Sequence, residues 1–247
     1  MKPPRLCDLL NTMLISALGL IFAGCASTGD SSATSGATQP GSTRQIASKY
    51  RTDDGRNIEI GNSTSVDGGL KFKEPHMDKC WIADGFAFTG YETLYIAPTL
   101  STAKLHNDEE QHPHELAKEN LQLELERELR HRGIFPAIAL RESDLKPGTH
   151  LLKMENTIIE YAKGGGAARY FAGLYGAGQP ILRVQGKMMD GDKVLFDYEA
   201  RRSGVSGGAR MVGAFMKDVD IQLEDIRSMT LDLADFMSAV SGKFQPR

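Results

Sequence analysis

The sequence predicts an α+β fold, a mainly antiparallel sheet with two helices packed on one face, and three observations carry that reading. Two long segments, about Pro113 to Arg132 and Lys217 to Val240, repeat apolar residues at helical spacing. Between them lie segments that alternate apolar and polar residues at strand spacing. A short β-rich run, Thr93-Leu94-Tyr95-Ile96, precedes them all and is stopped by Pro98. The order strand, helix, several strands, helix is that of an α+β sandwich.

The first helix begins at proline, follows acidic residues, and has Gly133 just past its end. At about 100° per residue, Ala117, Leu121, Leu125 and Leu129 form one stripe. Leu116 and Leu123 fall on the opposite side, a second apolar edge to be covered by the Trp81 segment or by a neighbouring subunit. Thr149 to Tyr161 reads as a long strand. Ile181 to Met189 sets Leu182, Val184 and Met188 against Arg183, Gln185 and Lys187. Val194 to Arg201 sets Val194, Phe196, Tyr198 and Ala200 against Asp197, Glu199 and Arg201. Asp190-Gly191-Asp192 between them is a tight-turn signal, so the two strands form an antiparallel hairpin with one face in the core. In the last helix, Val219, Leu223, Ile226, Thr230, Leu233, Met237 and Val240 step by four and three and predict packing on the sheet. A coiled-coil partner is the alternative use of that stripe.

Residues 46–90 are harder to read. Turn signals at Asp53 to Gly55 and Asp67 to Gly69 separate short segments around one apolar cluster, Cys80-Trp81-Ile82. The expectation is an extended, partly ordered segment that packs on a domain spanning 91–242 at Trp81.

The amino-terminal segment gives an address. Lys2 and Arg5 precede the apolar run Met13 to Gly24, which is shorter than the roughly 20 residues that span a hydrocarbon core. Residues 1–24 therefore read as a cleaved signal. The ending Phe22-Ala23-Gly24-Cys25 resembles the lipobox of bacterial lipoproteins, which implies a diacylglycerol on Cys25. An ordinary secretory signal is the alternative. Three acyl chains would hold the protein firmly, each buried methylene adding about 0.8 kcal/mol. Ala26 after the cysteine resembles the enterobacterial pattern for the outer membrane, which implies a domain facing the periplasm; inner-membrane retention is the alternative. Residues 26–45 are dominated by Ser, Thr and Gly and read as a flexible tether, with an average reach of roughly 25 Å.

Composition excludes some roles. The 247 residues carry a formal charge of −3, and loss of the signal leaves 27 basic against 31 acidic residues, with no basic excess to invite nucleic acid. Of three cysteines, Cys7 leaves with the signal and Cys25 takes lipid, so Cys80 is read as a buried, inert thiol or an intermolecular disulfide.

A family resemblance rests on Ala168-Arg169-Tyr170, the Gly-x-Gly at Gly176 to Gly178, the Ile181 strand, the Asp190-Gly191 turn and the final helix with Leu233 to Met237. Together these resemble the bacterial lipoproteins grouped as domain of unknown function 4410, over about Tyr91 to Gly242. The resemblance implies an envelope lipoprotein and no assigned reaction.

Candidate sites follow from local chemistry. Gly164 to Gly178 holds six glycines in fifteen residues, mixed with aromatic and apolar groups. Its Arg169, Tyr170, Phe171, Leu174 and Tyr175 form a candidate interaction loop for lipid or a protein partner, with Arg169 suited to a phosphate or carboxylate. A hairpin loop folded over the sheet is the alternative. Gly204-Val205-Ser206-Gly207-Gly208 matches the nucleophile elbow, but the last histidine, His150, precedes the serine. Ser206 and Arg210 remain a candidate anion site at a helix start. His114-Glu115 begins like a zinc-protease helix, yet Lys118 stands where the second histidine belongs. His106, His112 and His114 with neighbouring carboxylates are a candidate metal set, against a plain reading as acidic residues at a helix dipole. The expectation is thus a non-enzymatic, lipid-anchored interaction protein at the bacterial cell envelope, with an envelope protein partner or a homo-oligomer, no catalytic residues, and no cofactor beyond the lipid on Cys25. An envelope hydrolase or a metal-binding lipoprotein is the alternative.

Overall fold

The computed structural model describes residues 46–74, 77–165, 178–204 and 217–246. The chain divides into two units, Met1–Ser42 and Thr43–Arg247. The first, with the signal and Cys25, lies outside the described residues.

The protein is α+β, with a mixed but mostly antiparallel sheet and two long helices among the described residues. Its strands are β1 (Lys49–Arg51), β2 (Asn57–Glu59), β3 (Ser63–Val66), β4 (Gly69–Glu74), β5 (Met77–Ala83), β6 (Thr93–Ile96), β7 (Leu100–Ser101), β8 (Ala137–Ala139), β9 (Leu151–Ala162), β10 (Ile181–Asp190), β11 (Lys193–Arg202) and β12 (Gln245–Pro246). Helix α1 spans Gln111–Arg132 and α2 spans Asp218–Val240. The main sheet runs in the order β3-β4-β5-β11-β10-β9-β6-β8, with β7 beside β9, and β12-β1-β2 form a second, small sheet.

The central hairpin follows its pattern closely. Gly191, at φ 56°, opens a two-residue turn that closes on Asp190 opposite Lys193. Leu182, Val184, Met188, Phe196, Tyr198 and Ala200 are buried. Val194 is only half-buried, because a bulge between Met188 and Met189 shifts the register there.

Residues 46–90 are not a separate segment. β5 pairs with β11 in the middle of the sheet, with Trp81 opposite Asp197, and β4 and β3 extend the sheet beyond it. The turn of the β3–β4 hairpin is Asp67-Gly68, both at positive φ as a tight two-residue hairpin turn requires. Of these strands only β4 alternates, Leu70 and Phe72 against Lys71 and Lys73, while β3 is four polar-rich residues and β5 follows no period of two. The sheet is also not purely antiparallel at its far edge. β6 pairs in parallel with β8 and with β9, and α1 is the crossover between β6 and β8.

The stripe Ala117, Leu121, Leu125 and Leu129 is buried, and each leucine is worth about 1.5–3 kcal/mol. Gly133, at φ 59°, caps α1 in the left-handed region after a basic last turn. The apolar edge of Leu116 and Leu123 is not covered by the Trp81 segment, and Leu123 stays 52% exposed. α1 and α2 pack side by side and parallel, with Glu124 facing Arg227 and Arg132 facing Asp235. α2 packs on the sheet, where Phe236 meets Phe72 edge-on at 5.2 Å and stacks near Phe196 at 6.1 Å. From Leu233 to Val240 every residue of α2 is buried. The sheet, α1 and the small sheet all press on this half, and Arg56 and Arg132 both reach Asp235.

The opposite face of the main sheet is charged and paired across strands. Lys79 meets Glu199 at 2.7 Å, Glu199 also takes Arg183, and Glu155 bridges Lys153 at 2.7 Å and Lys187 at 3.1 Å. One face is core and the other is wet. No helix among the described residues is long and apolar enough to cross a membrane.

Candidate functional site

Two glycine-rich stretches leave the sheet at one end. The first follows β9 and returns into β10, where Ala162 faces Ile181; the second follows β11 and returns into α2, where Arg202 faces Leu182. The stems of both stretches are therefore neighbours, beside the starts of α1 and α2.

Buried polar contacts fix these stems. Glu110, 6% exposed, accepts from the backbone N–H of His106 at 2.7 Å and of Lys163 at 3.2 Å. Burial works to raise its carboxyl, and the two N–H groups together with the His106 side chain leave it lowered. The Tyr161 hydroxyl donates to Gln222, and Gln222 donates onward to the Ala162 carbonyl at 3.1 Å. Burial pushes the Tyr161 phenol up to about 12, so it stays a donor at neutral pH. The Gly165 N–H donates to the Gly178 carbonyl at 2.9 Å and closes the neck of the first stretch. The Gly204 N–H donates to Asp225 at 2.9 Å at the start of the second. Burial raises the Asp225 carboxyl to about 6 against the pull of Gly204 N–H and Arg202.

His114 stands among these groups. Its ring is 6% exposed, edge-on to Tyr161 at 4.9 Å, with Nε2 2.8 Å from the Ser101 hydroxyl and Nδ1 3.7 Å from Glu115. Burial pushes its pKa down, against the nearby Glu115, so the ring is neutral at pH 7. Serine, histidine and carboxylate in this order are the parts of an acyl-transfer set. The Ser101 hydroxyl, however, also donates to the Ile158 carbonyl at 3.2 Å and accepts from Ala103 N–H at 3.2 Å. Glu115 is drawn away by Lys118 at 2.8 Å. These bonds fix the end of β7 against β9 and α1.

The three histidines of the candidate metal set are separated by this packing. His114 faces inward, His106 is 72% exposed and pairs with Glu110 at 3.4 Å, and His112 is exposed. Among the described residues no group of three or more His, Cys, Asp and Glu side chains is placed to hold a metal ion. The acidic residues ahead of α1 are also not all surface groups, since Glu110 is buried. Arg169, Tyr170, Phe171, Leu174, Tyr175, Ser206 and Arg210 lie outside the described residues.

Sequence reasoning missed Ser101, Gln222 and Asp225. A signal for the last two existed. In the first half of α2 the buried residues are Ile221, Gln222, Asp225, Ile226 and Met229, while Val219 and Leu223 are half-buried. Polar residues one turn and one place before Ile226 sit on the inward face, and a buried polar group needs a partner.

The fold and these stems define an α+β domain in which buried polar contacts hold two loop stems side by side at one end of its sheet. No family model matches the sequence, and no curated protein matches it. Among solved structures, the chain is similar to a PelC dodecamer from Paraburkholderia phytofirmans, at 11% identity and a TM-score of 0.39 over 62% of this chain and 94% of that one. A point variant of the same PelC gives 12%, 0.38, 62% and 95%. Protein XCC0632 from Xanthomonas campestris, described with the family model DUF330, gives 11%, 0.34, 61% and 85%.

Proposed function

We propose that this protein is a lipid-anchored component of the bacterial cell envelope that acts by binding another envelope protein or a second copy of itself, and not by catalysis. The anchor is Cys25, the membrane is the outer one, and the domain faces the periplasm. The signal-like run ending in Cys25 and the resemblance to the domain of unknown function 4410 lipoproteins support the address. The observation that carries the binding role is the shared end of the sheet, where Glu110, Gln222 and Asp225 spend buried polar groups on holding two loop stems beside each other. Such an investment gives two loops a rigid common base.

The test is a pull-down of the native protein from solubilised membranes, with and without residues 169–175. Recovery of the same partner by both forms overturns the role of this end. Palmitate labelling of wild type but not of Cys25→Ala tests the anchor separately. A second reading, an envelope hydrolase, is favoured by the 2.8 Å approach of His114 to Ser101 alone. Fluorophosphonate labelling that is lost in Ser101→Ala would establish it, and an unlabelled protein removes it.

A further inference from the structure

The wet face of the main sheet holds a cavity of about 460 Å³, open to solvent, whose lining includes Val66, Asp67, Lys71, Trp81, Val194 and Asp197. It lies away from the loop stems and uses none of their residues. Strand register builds its floor. Trp81 on β5 faces Lys71 on β4 and Asp197 on β11, so the three side chains stand in one row across neighbouring strands.

The indole is held as a plate. A Cβ on Gly69 would fall 2.5 Å from its Cε2 and 2.6 Å from its Nε1, so the ring lies where only glycine leaves room. Its N–H donates to the Val66 carbonyl at 3.1 Å, which fixes the rotation of the ring. The half-buried Asp197 stands beside the plate, its carboxyl raised by burial although Lys79 and Lys187 oppose the shift. Those two lysines are engaged elsewhere, with Glu199 at 2.7 Å and Glu155 at 3.1 Å. Among the described residues, neither the Asp197 carboxylate nor the Lys71 ammonium is taken up by a hydrogen bond or ion pair.

Among the described residues the cavity thus offers an apolar aromatic face, the carboxylates of Asp67 and Asp197 as acceptors and the Lys71 ammonium as a donor. Its charged lining is mixed, Asp67 and Asp197 against Lys71 and a Lys79 held by Glu199, with no run of one sign to draw a polyanion or a polycation. A pyranose ring meets this set group by group. It has a C–H face for the indole and a rim of hydroxyls that both donate and accept. We propose that this cavity binds a neutral saccharide, one ring seated on Trp81 with hydroxyls donating to Asp197 and accepting from Lys71. A broad mouth suits a unit within a longer glycan.

Trp81 is the only tryptophan of the chain, so indole emission, excited selectively over tyrosine, reports on this site alone. The full-length protein in detergent is titrated with cellohexaose, maltohexaose and N-acetylchitohexaose. The expected result is a saturable change in indole emission with at least one of them, weakened about tenfold in Asp197→Asn, where a charged acceptor becomes a neutral one. Lys71→Met gives a loss in the same direction. No saturable change with any sugar up to about 10 mM overturns the proposal, since weaker binding is below useful affinity. Equal affinity in wild type and both variants overturns it too, and so does a response to spermidine in place of the sugars.

Discussion

The Tyr161 hydroxyl donates to Oε1 of Gln222 across 3.0 Å, joining the end of β9 to the first turns of α2 inside the protein. Gln222 in turn donates to the carbonyl of the residue after Tyr161, so the two side chains lock one stem from both directions. Tyr161→Phe keeps the ring and removes the donor, leaving Oε1 of Gln222 buried without it. The expected cost is about 1–3 kcal/mol in urea unfolding. An unchanged midpoint and slope would show that water reaches Gln222.

At the other end of the helices, Asp235 is buried between Arg132 of α1 and Arg56 of the β1–β2 turn. Arg132 also lies over the Phe244 ring at 5.5 Å. Its side chain is 8% exposed, whereas that of Arg56 is 41% exposed. Arg132→Met therefore removes the buried partner and is expected to cost about 3–5 kcal/mol in the same unfolding measurement. Arg56→Met is expected to cost about 1 kcal/mol or less, because water replaces much of what it gives.

Gly186 faces the core on β10 between Asn156 and Tyr198, whose hydroxyl donates to Asn156 at 2.8 Å. A Cβ there would stand 2.1 Å from the Tyr198 ring and 2.6 Å from Oδ1 of Asn156. Gly186→Ala must push that pair apart, at an expected 1–3 kcal/mol or more in thermal unfolding. Gly191→Ala gives a contrast. It meets no neighbour and acts only through its positive φ, so it is expected to cost less, about 1 kcal/mol.

Asp225 gives stability a pH dependence with a definite sign. Its carboxyl is raised from 3.8 to about 6, so the folded state holds the proton more tightly than the unfolded chain. Between those values the folded state binds more protons, and its stability falls as pH rises through the window. The shift corresponds to no more than about 3 kcal/mol. Asp225→Asn keeps an acceptor for the Gly204 N–H and removes the charge. The expected outcome is a higher unfolding temperature than wild type at pH 7 and no difference near pH 4, read by circular dichroism. A variant less stable than wild type at pH 7 would contradict the assignment.

Sequence legibility followed element length. Helix α1 was readable because Ala117, Leu121, Leu125 and Leu129 repeat every four residues along it, and β10 and β11 because ten residues each alternate around a Gly191 turn. β1 and β2 have three residues each and β3 four, too few for any period to register, so the 46–90 region looked like a separate segment. The stem contacts were illegible for another reason. Tyr161 and Gln222 are 61 residues apart, and Lys163 and Glu110 are 53 apart, so their polar groups become partners only when β9 lies between the helix starts.

The sequence by itself determined the class of the fold, the long helices, the central hairpin and the buried stripe, because burial of a periodic apolar face is a local instruction. It also carried the lipoprotein-like start at Cys25. Tertiary structure alone decided that β3 to β5 complete the main sheet, that His106, His112 and His114 part company, and that Asp235 is shared by two arginines. It decided as well that the Trp81 ring lies against Gly69 and opposite Asp197. Each of these depends on strand order and register, which place residues from distant parts of the chain within a few ångströms and are set by the packing of the whole domain.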